Sequence, residues 1–226
     1  MKKYLYIIIF TLISFKALSH AEHYEGIIQI KMDVLRNGEV IGYNNYFFER
    51  DGESITVKNQ YKFEVKLLSA TIFKVEGYGE EIYLNDHLIS FQSKTLQNKK
   101  EKFVSLKLDK NKKKFNIKGS SYSGEASLKN IIGNWWSHKI LQAESQISPI
   151  SGSIKEQLVT FIGKENVTIN GKEFETDHFK LTSKDMSLPE DKRLNFDIWL
   201  DKKTSVIVKV TYERMGNWEY RLKNIE

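Results

Sequence analysis

The histidines are the first residues to test for catalytic or metal-binding chemistry. Five occur in the chain, and their spacing matches no metal-binding motif such as H-E-x-x-H. No cysteine is present that could complete a ligand set. His178 stands in a stretch with a strand pattern, and we interpret it as a structural histidine rather than a catalytic one. The sequence therefore predicts neither a metal site nor a cofactor.

Motifs for nucleophilic catalysis are also missing. The glycine- and serine-rich stretch 119–124 does not match G-x-S-x-G, and no strand-to-helix turn is predicted there. A phosphate-binding loop of the G-x-x-x-x-G-K type does not occur. Carboxylates are numerous, but nothing in their spacing selects one pair for acid–base work. We therefore predict that the protein is not an enzyme; an unidentified hydrolase is the third-ranked alternative.

The N-terminus has the three parts of a bacterial export signal. A Met-Lys-Lys start precedes a twelve-residue apolar run, and Ser19 and Ala21 suit the −3 and −1 positions of a signal-peptidase site. Since a spanning helix needs about 20 apolar residues, the run is too short for a membrane anchor. We predict that residues 1–21 are removed before Glu22, which leaves 22–226 as one β domain without a transmembrane span.

Charge and composition narrow the choice of compartment and partner. The chain has 35 basic and 29 acidic residues, and three of its lysines lie in the signal, so the exported domain is only slightly basic. This excess is too small to predict a nucleic-acid partner. An exported domain without cysteine must rely on its hydrophobic core instead of disulfides. A composition rich in Lys, Asn and Ile looks bacterial, and export without an anchor predicts the periplasm.

Alternation of apolar and polar residues dominates the exported domain. The clearest stretch is Ser54–Leu67, where Tyr61, Phe63 and Val65 alternate with polar side chains. Asn-Gly and Asp-Gly pairs between such stretches are typical of tight hairpins. The pattern predicts an all-β fold, a single antiparallel meander of about eleven strands that forms an open or closed barrel.

One segment interrupts the strand pattern. Its apolar residues follow helical spacing: Leu128, Ile131, Ile132, Trp135 and Trp136. Gly133 lies among them and weakens a helix. We predict a short helix or loop that plugs one mouth of the barrel.

Lysine-rich runs are predicted at the ends of two hairpins, over 99–102 and 110–114. We interpret them as solvated turns that discourage pairing between sheet edges. Contact with anionic lipid headgroups is the alternative.

Several hairpin signatures occur in a fixed order along the domain. They include Asn37-Gly38-Glu39-Val40, Gly163-Lys164-Glu165-Asn166, Phe196-Asp197-Ile198-Trp199 and Gly216-Asn217-Trp218-Glu219. This order resembles an uncharacterised family of exported bacterial all-β proteins, a domain of unknown function, over nearly all of residues 22–226. The resemblance implies an architecture and no known activity. At the level of fold, the pattern is also similar to periplasmic lipoprotein carriers, in which a curved sheet shelters acyl chains.

The aromatic residues suggest a function in binding. We predict a periplasmic, non-enzymatic binding protein for a lipid-like or otherwise apolar ligand held inside the curved sheet. The alternative is a module with a solid core that binds another envelope protein. The predicted ligand-lining residues lie on apolar strand faces and at the mouth: Tyr61, Phe63, Val65, Trp135, Trp136, Phe196, Ile198, Val208, Val210 and Tyr212.

Export generates the first testable prediction. Because Ser19 and Ala21 suit signal peptidase, the mature chain should begin at Glu22 and fractionate with the soluble periplasm. N-terminal sequencing after osmotic release checks this. Membrane-bound material that retains Met1 would show that the signal is not cleaved.

Overall fold

A computed structural model describes residues 24–226 of the chain. The predicted signal and the site between Ala21 and Glu22 lie outside this range. Strands make up most of the described part. They are β1 (Gln29–Arg36), β2 (Glu39–Asp51), β3 (Ser54–Leu67), β4 (Ala70–Leu84), β5 (His87–Gln97), β6 (Lys100–Asp109), β7 (Lys114–Gly119), β8 (Ser123–Ser127), β9 (Ile131–Ile132), β10 (Ser145–Ile147), β11 (Ile154–Ile169), β12 (Lys172–Ser183), β13 (Asn195–Asp201), β14 (Ile207–Glu213) and β15 (Asn217–Ile225). Two short 3-10 helices span His138–Leu141 and Glu190–Lys192.

The strands form one sheet whose order is β8-β7-β6-β5-β4-β3-β2-β1-β15-β14-β13-β12-β11-β10-β9. Neighbours pair antiparallel, except that β9 and β10 are parallel. The outermost strands, β8 and β9, follow each other in the chain, so the sheet must curl until its two edges approach. Ala126 of β8 accordingly shares a hydrophobic cluster with Ile132 of β9 and Ile147 of β10. Because β8 and β9 do not pair, the barrel is open.

This architecture confirms the all-β prediction and corrects three of its details. The described residues form fifteen strands instead of about eleven, because β8, β9 and β10 have five, two and three residues and are too short to show alternation. The sheet is not a pure antiparallel meander, since β9 and β10 run parallel. Of the predicted short helix or loop over Leu128–Trp136, the helix is not formed: Ile131–Ile132 is a strand, and the 3-10 turn begins only at His138.

The helical spacing was misleading because this segment is buried on more than one side. Ile132, Trp135 and Trp136 are all buried, and so are two polar residues of the same segment, Asn130 and Asn134. An amphipathic helix needs a polar face in water. Residues buried all round therefore carry no information on periodicity.

Alternation in β3 shows how the two faces of the sheet differ. Val57, Asn59, Phe63 and Val65 are buried and define the inner face. The residues between them point to the outer face, and Lys62 keeps about half of its side chain exposed. The predicted register of this strand is therefore confirmed.

Phe63 and Lys62 give a test of this register. Phe63 packs against Phe73 and Trp218, with ring centroids 6.2 and 5.8 Å away. Phe63→Ala should lower the free energy of unfolding by about 3–5 kcal/mol because it leaves a cavity. Lys62→Ala should change it by less than about 0.5 kcal/mol. Urea unfolding of both variants measures this, and equal losses would place β3 one residue out of register.

Candidate functional site

The segment that connects β8 to β10 packs against the inner face of the sheet and is fixed there by a buried carboxylate. Glu81 of β4 accepts hydrogen bonds from Asn134 Nδ2 at 2.6 Å and from Trp136 Nε1 at 2.8 Å on one oxygen. Tyr83 donates its hydroxyl to the other oxygen. Burial raises the pKa of Glu81, and the three donors oppose that rise. Glu81 therefore ties the segment to the middle of the sheet.

A second buried network fixes the backbone of the same segment. The Trp135 amide donates to the hydroxyl oxygen of Tyr46 at 3.1 Å. The Asn44 side-chain amide donates to the same hydroxyl oxygen, and the Asn59 side-chain amide donates to Asn44 Oδ1 at 2.7 Å. Burial raises the pKa of Tyr46 far above its ordinary value, so this hydroxyl keeps its proton.

Gly133 allows the close approach between this segment and β10. A Cβ atom at Gly133 would lie 2.0 Å from the Gln146 side-chain oxygen, so the buried Gln146 side chain would have to move. Gln146 in turn donates to Gln157 of β11. The glycine is therefore needed for packing.

The ten predicted ligand-lining residues fall into two hydrophobic clusters on the inner side. The first cluster contains Trp135, Trp136, Phe196, Ile198, Val208 and Val210. The second contains Tyr61, Phe63, Val65 and Tyr212. A chain of ring contacts joins the clusters: Trp135 to Phe196 (5.0 Å), Phe196 to Tyr212 (5.3 Å), Tyr212 to Trp218 (5.7 Å) and Trp218 to Phe63 (5.8 Å). The structure thus brings these residues together by packing them against one another.

A groove of about 730 Å³ lies on the outer face of β2 to β6, and we call it the β2–β6 groove. Its exposed apolar residues are Tyr43, Tyr78, Leu96 and Phe103. Charged side chains of the same face surround them: Lys62, Lys94, Glu76 and Glu101. Lys62 and Glu76 form an ion pair at 3.8 Å. The arrangement combines an apolar floor with a charged rim.

Strand register explains how residues far apart in sequence form this groove. Tyr78 of β4 pairs with Lys94 of β5, and Lys94 pairs with Phe103 of β6. Gly77 adds no side chain beside them. A Cβ atom there would lie 2.6 Å from the Tyr61 hydroxyl, so Tyr61 occupies the inner side of this position.

Sequence reasoning missed the β2–β6 groove apart from Tyr61, which also lines it. The available signal was an aromatic residue in the outward phase of a strand, as at Tyr78 and Phe103. Because such residues are common singly on surfaces, only the pairing register shows that they converge.

A polar cluster on β11, β12 and β13 surrounds His178. Its two ring nitrogens lie 3.1 Å from Glu165 and 3.0 Å from Asp197, and its ring stacks on Trp199 with centroids 4.4 Å apart. Lys180 pairs with Asp197 at 2.7 Å. Both nitrogens are thus engaged with carboxylates, an arrangement suited to joining strands.

Within residues 24–226, no group of three His, Asp or Glu side chains could hold a metal ion. No helix in the same range is long and apolar enough to cross a membrane.

The chain belongs to the protein family DUF6134, a domain of unknown function, whose model matches residues 32–223. The chain is similar in fold to a beta-barrel-like protein of the domain of unknown function DUF1849 from Brucella abortus. That match has a TM-score of 0.60 and 10% sequence identity, and covers 88% of this chain and 97% of the other. A protein with a YmcC-like fold from Bacteroides fragilis matches with a TM-score of 0.37 and 10% identity over 88% of this chain and 94% of the other. Curated proteins give no match.

The buried carboxylate generates a prediction on pH. Because burial raises the pKa of Glu81, the folded state holds this proton at a higher pH than the unfolded state, where the ordinary value is 4.5. The stability gained from the protonated Glu81 is therefore fully present below pH 4.5 and is lost as the pH rises through the folded-state pKa. Glu81→Gln keeps the shape and the hydrogen-bonding capacity and cannot ionise. The variant should therefore gain stability relative to the wild type as the pH rises towards neutrality.

Urea unfolding of both proteins at a series of pH values measures this difference. Trp136→Phe retains a ring and removes one of the donors that hold the pKa of Glu81 down. In this variant the loss of stability with rising pH should therefore occur at a higher pH than in wild type. A difference between Glu81→Gln and wild type that does not vary with pH would contradict the assignment.

Proposed function

We propose that the protein is a non-enzymatic binding protein of the bacterial periplasm, and that it binds a lipid-like or otherwise apolar ligand in the β2–β6 groove. The observation that carries the proposal is the convergence of Tyr43, Tyr78, Leu96 and Phe103 on the outer face. Pockets for small ligands are typically concave and largely apolar, with a few polar groups that orient the ligand. The charged residues at the rim supply those polar groups.

The filled inner side favours the outer groove over an interior site. Trp135 and Trp136 are buried among the residues that were predicted to line a cavity. A ligand on the inner side would have to displace these rings and leave the Glu81 carboxylate without the Trp136 donor. Glu81 would then keep only Asn134 and Tyr83 as donors, and a lost hydrogen bond to a buried group is costly. A ligand in the outer groove displaces only solvent.

Phe103 and Phe161 give a matched pair of variants for this proposal. Phe103 lines the groove and is 50% exposed, whereas Phe161 on β11 is 51% exposed and lies away from the groove. Phe103→Ala should weaken binding of a fluorescent fatty acid by about 1–2 kcal/mol because it removes apolar contact area. Phe161→Ala should leave the affinity unchanged, and neither change should alter the melting temperature much.

Fluorescence titration of the three proteins measures the affinity, and native mass spectrometry of wild type detects bound lipid. Absence of saturable binding together with absence of bound lipid would refute a lipid-like ligand. If Phe103→Ala and Phe161→Ala weakened the affinity equally, the ligand would not bind in the β2–β6 groove.

A protein partner is the second candidate, and the edge of β11 favours it. β10 covers this strand only as far as Glu156, so from Leu158 to Ile169 no described strand pairs with that edge. Leu158, Phe161 and Ile162 are each about half exposed along it. An uncovered edge with apolar side chains is a template for strand addition. In that case Phe161→Ala should weaken complex formation and Phe103→Ala should not.

A further inference from the structure

Two hairpin turns carry apolar residues in a backbone conformation that normally suits Asn or Gly. The turns between β1 and β2, β4 and β5, and β11 and β12 each begin with Asn at positive φ: Asn37, Asn85 and Asn170. In the corresponding left-handed region, the β3–β4 turn has Leu68 at φ 47° and the β14–β15 turn has Met215 at φ 51°. A bulky side chain at such an angle is strained, and Asn tolerates it better.

These two residues are also almost completely exposed. Leu68 is 95% exposed and Met215 is 89% exposed, the highest values among the large apolar residues of the described chain. Each residue is therefore unfavourable in two independent ways, in its backbone conformation and in its contact with water. Burial of these side chains in an apolar environment outside the chain would offset both effects.

The antiparallel topology places both turns at one end of the sheet. We call it the Leu68 end; it contains the turns at Asn37–Gly38, Leu68–Ser69, Asn98–Lys99 and Arg214–Gly216. The turns at Asn85 and Asn170 lie at the opposite end. More exposed apolar residues border the Leu68 end: Val40, Leu67, Ile72 and Met186.

Two lysines flank the Leu68 turn, Lys66 on β3 and Lys74 on β4. Each is paired with a glutamate, Lys66 with Glu64 at 3.7 Å and Lys74 with Glu76 at 3.1 Å. The neighbouring β5–β6 turn is fastened to β4, because the Lys74 amide donates to the Asn98 side chain at 2.8 Å and the Asn98 amide donates to the Lys74 carbonyl at 2.7 Å. This holds Lys99 and Lys100 beside Lys74, at the same end of the sheet as the Leu68 turn. Apolar tips among lysines are typical of surfaces that bind anionic lipid interfaces.

We propose that the Leu68 end docks reversibly on a lipid bilayer containing anionic headgroups, with Leu68 and Met215 inserted at the headgroup–acyl boundary, so that osmotic release still recovers the protein in the soluble fraction. Strands β2 and β1 lie between the two hairpins, so the turns that carry Leu68 and Met215 are about 19 Å apart along the sheet. A fluid bilayer can receive separated tips at once without shaped pockets, whereas a protein would need a matching pocket for each. The charge of the β5–β6 turn matches anionic headgroups and gives no such advantage on a neutral surface. The proposal does not depend on a ligand in the β2–β6 groove.

The decisive variant is Leu68→Asn combined with Met215→Asn. Asn suits positive φ, so the double variant should melt at the same temperature as wild type or higher. Co-sedimentation with vesicles of phosphatidylcholine and phosphatidylglycerol in equal parts measures binding of the purified protein. The double variant should bind about tenfold more weakly or worse, because two apolar groups no longer enter the interface.

Leu128→Asn is the matched control, because Leu128 is an exposed apolar residue that follows β8 at the opposite end. It should bind vesicles as wild type does. Lys99→Gln and Lys100→Gln should each weaken binding about fivefold on these vesicles and have no effect on phosphatidylcholine alone.

Three outcomes would overturn the proposal. Wild type could fail to sediment with the anionic vesicles, or the Asn double variant could bind as well as wild type. In the third outcome, wild type does not bind vesicles but forms dimers by analytical ultracentrifugation, and the double variant is monomeric. That result would assign the tips to a contact between protein chains.

Discussion

The fold depends on one buried carboxylate that receives hydrogen bonds from its near neighbour Tyr83 and from one segment distant in sequence. Glu81 lies on the inner face of β4, and its donors Asn134 and Trp136 lie more than fifty residues away in sequence. A carboxylate in this position is costly unless donors satisfy it. The segment between β8 and β10 must therefore cross the inner side in one fixed position. Only with that segment in place do the two edges of the open sheet share a hydrophobic cluster.

The polar interior has a further consequence for where the protein can bind anything. Asn44, Asn59 and Tyr46 hold the Trp135 backbone, while Glu81 holds the next residue by its ring nitrogen. Directional contacts of this kind specify one arrangement, whereas a purely apolar interior would tolerate several. The part of the inner face around Tyr46 and Glu81 is consequently occupied by the chain's own segment. The binding surfaces proposed above lie elsewhere, on the outer face, at the free edge of β11 and at the turns.

Most of the fold, and little of the site, could be predicted from the sequence. Long strands such as β3 can be predicted from the alternation of apolar and polar residues, since one face is buried and the other is exposed to solvent. The segment around Trp135 was recognisable as an interruption, but its conformation is set by buried hydrogen bonds that leave no periodic signal. The β2–β6 groove and the His178 cluster both depend on the pairing register of neighbouring strands. The His178 cluster also depends on the bulge between Phe161 and Gly163. Register is decided by the whole sheet and cannot be derived from one strand.

Gly77 shows how the two faces of the sheet are coupled. Tyr61 can lie across β4 on the inner side because Gly77 has no Cβ atom, and its hydroxyl then reaches Thr95 of β5 at 2.5 Å. A Cβ atom at Gly77 would also lie 2.6 Å from the Lys94 carbonyl oxygen, and Lys94 pairs with Tyr78 and Phe103 of the outer groove. A larger residue at this position would push Tyr61 away and break its contact with Thr95. The packing of Tyr61 on the inner side and the spacing of β4 and β5 beneath the outer groove therefore rest on the same glycine.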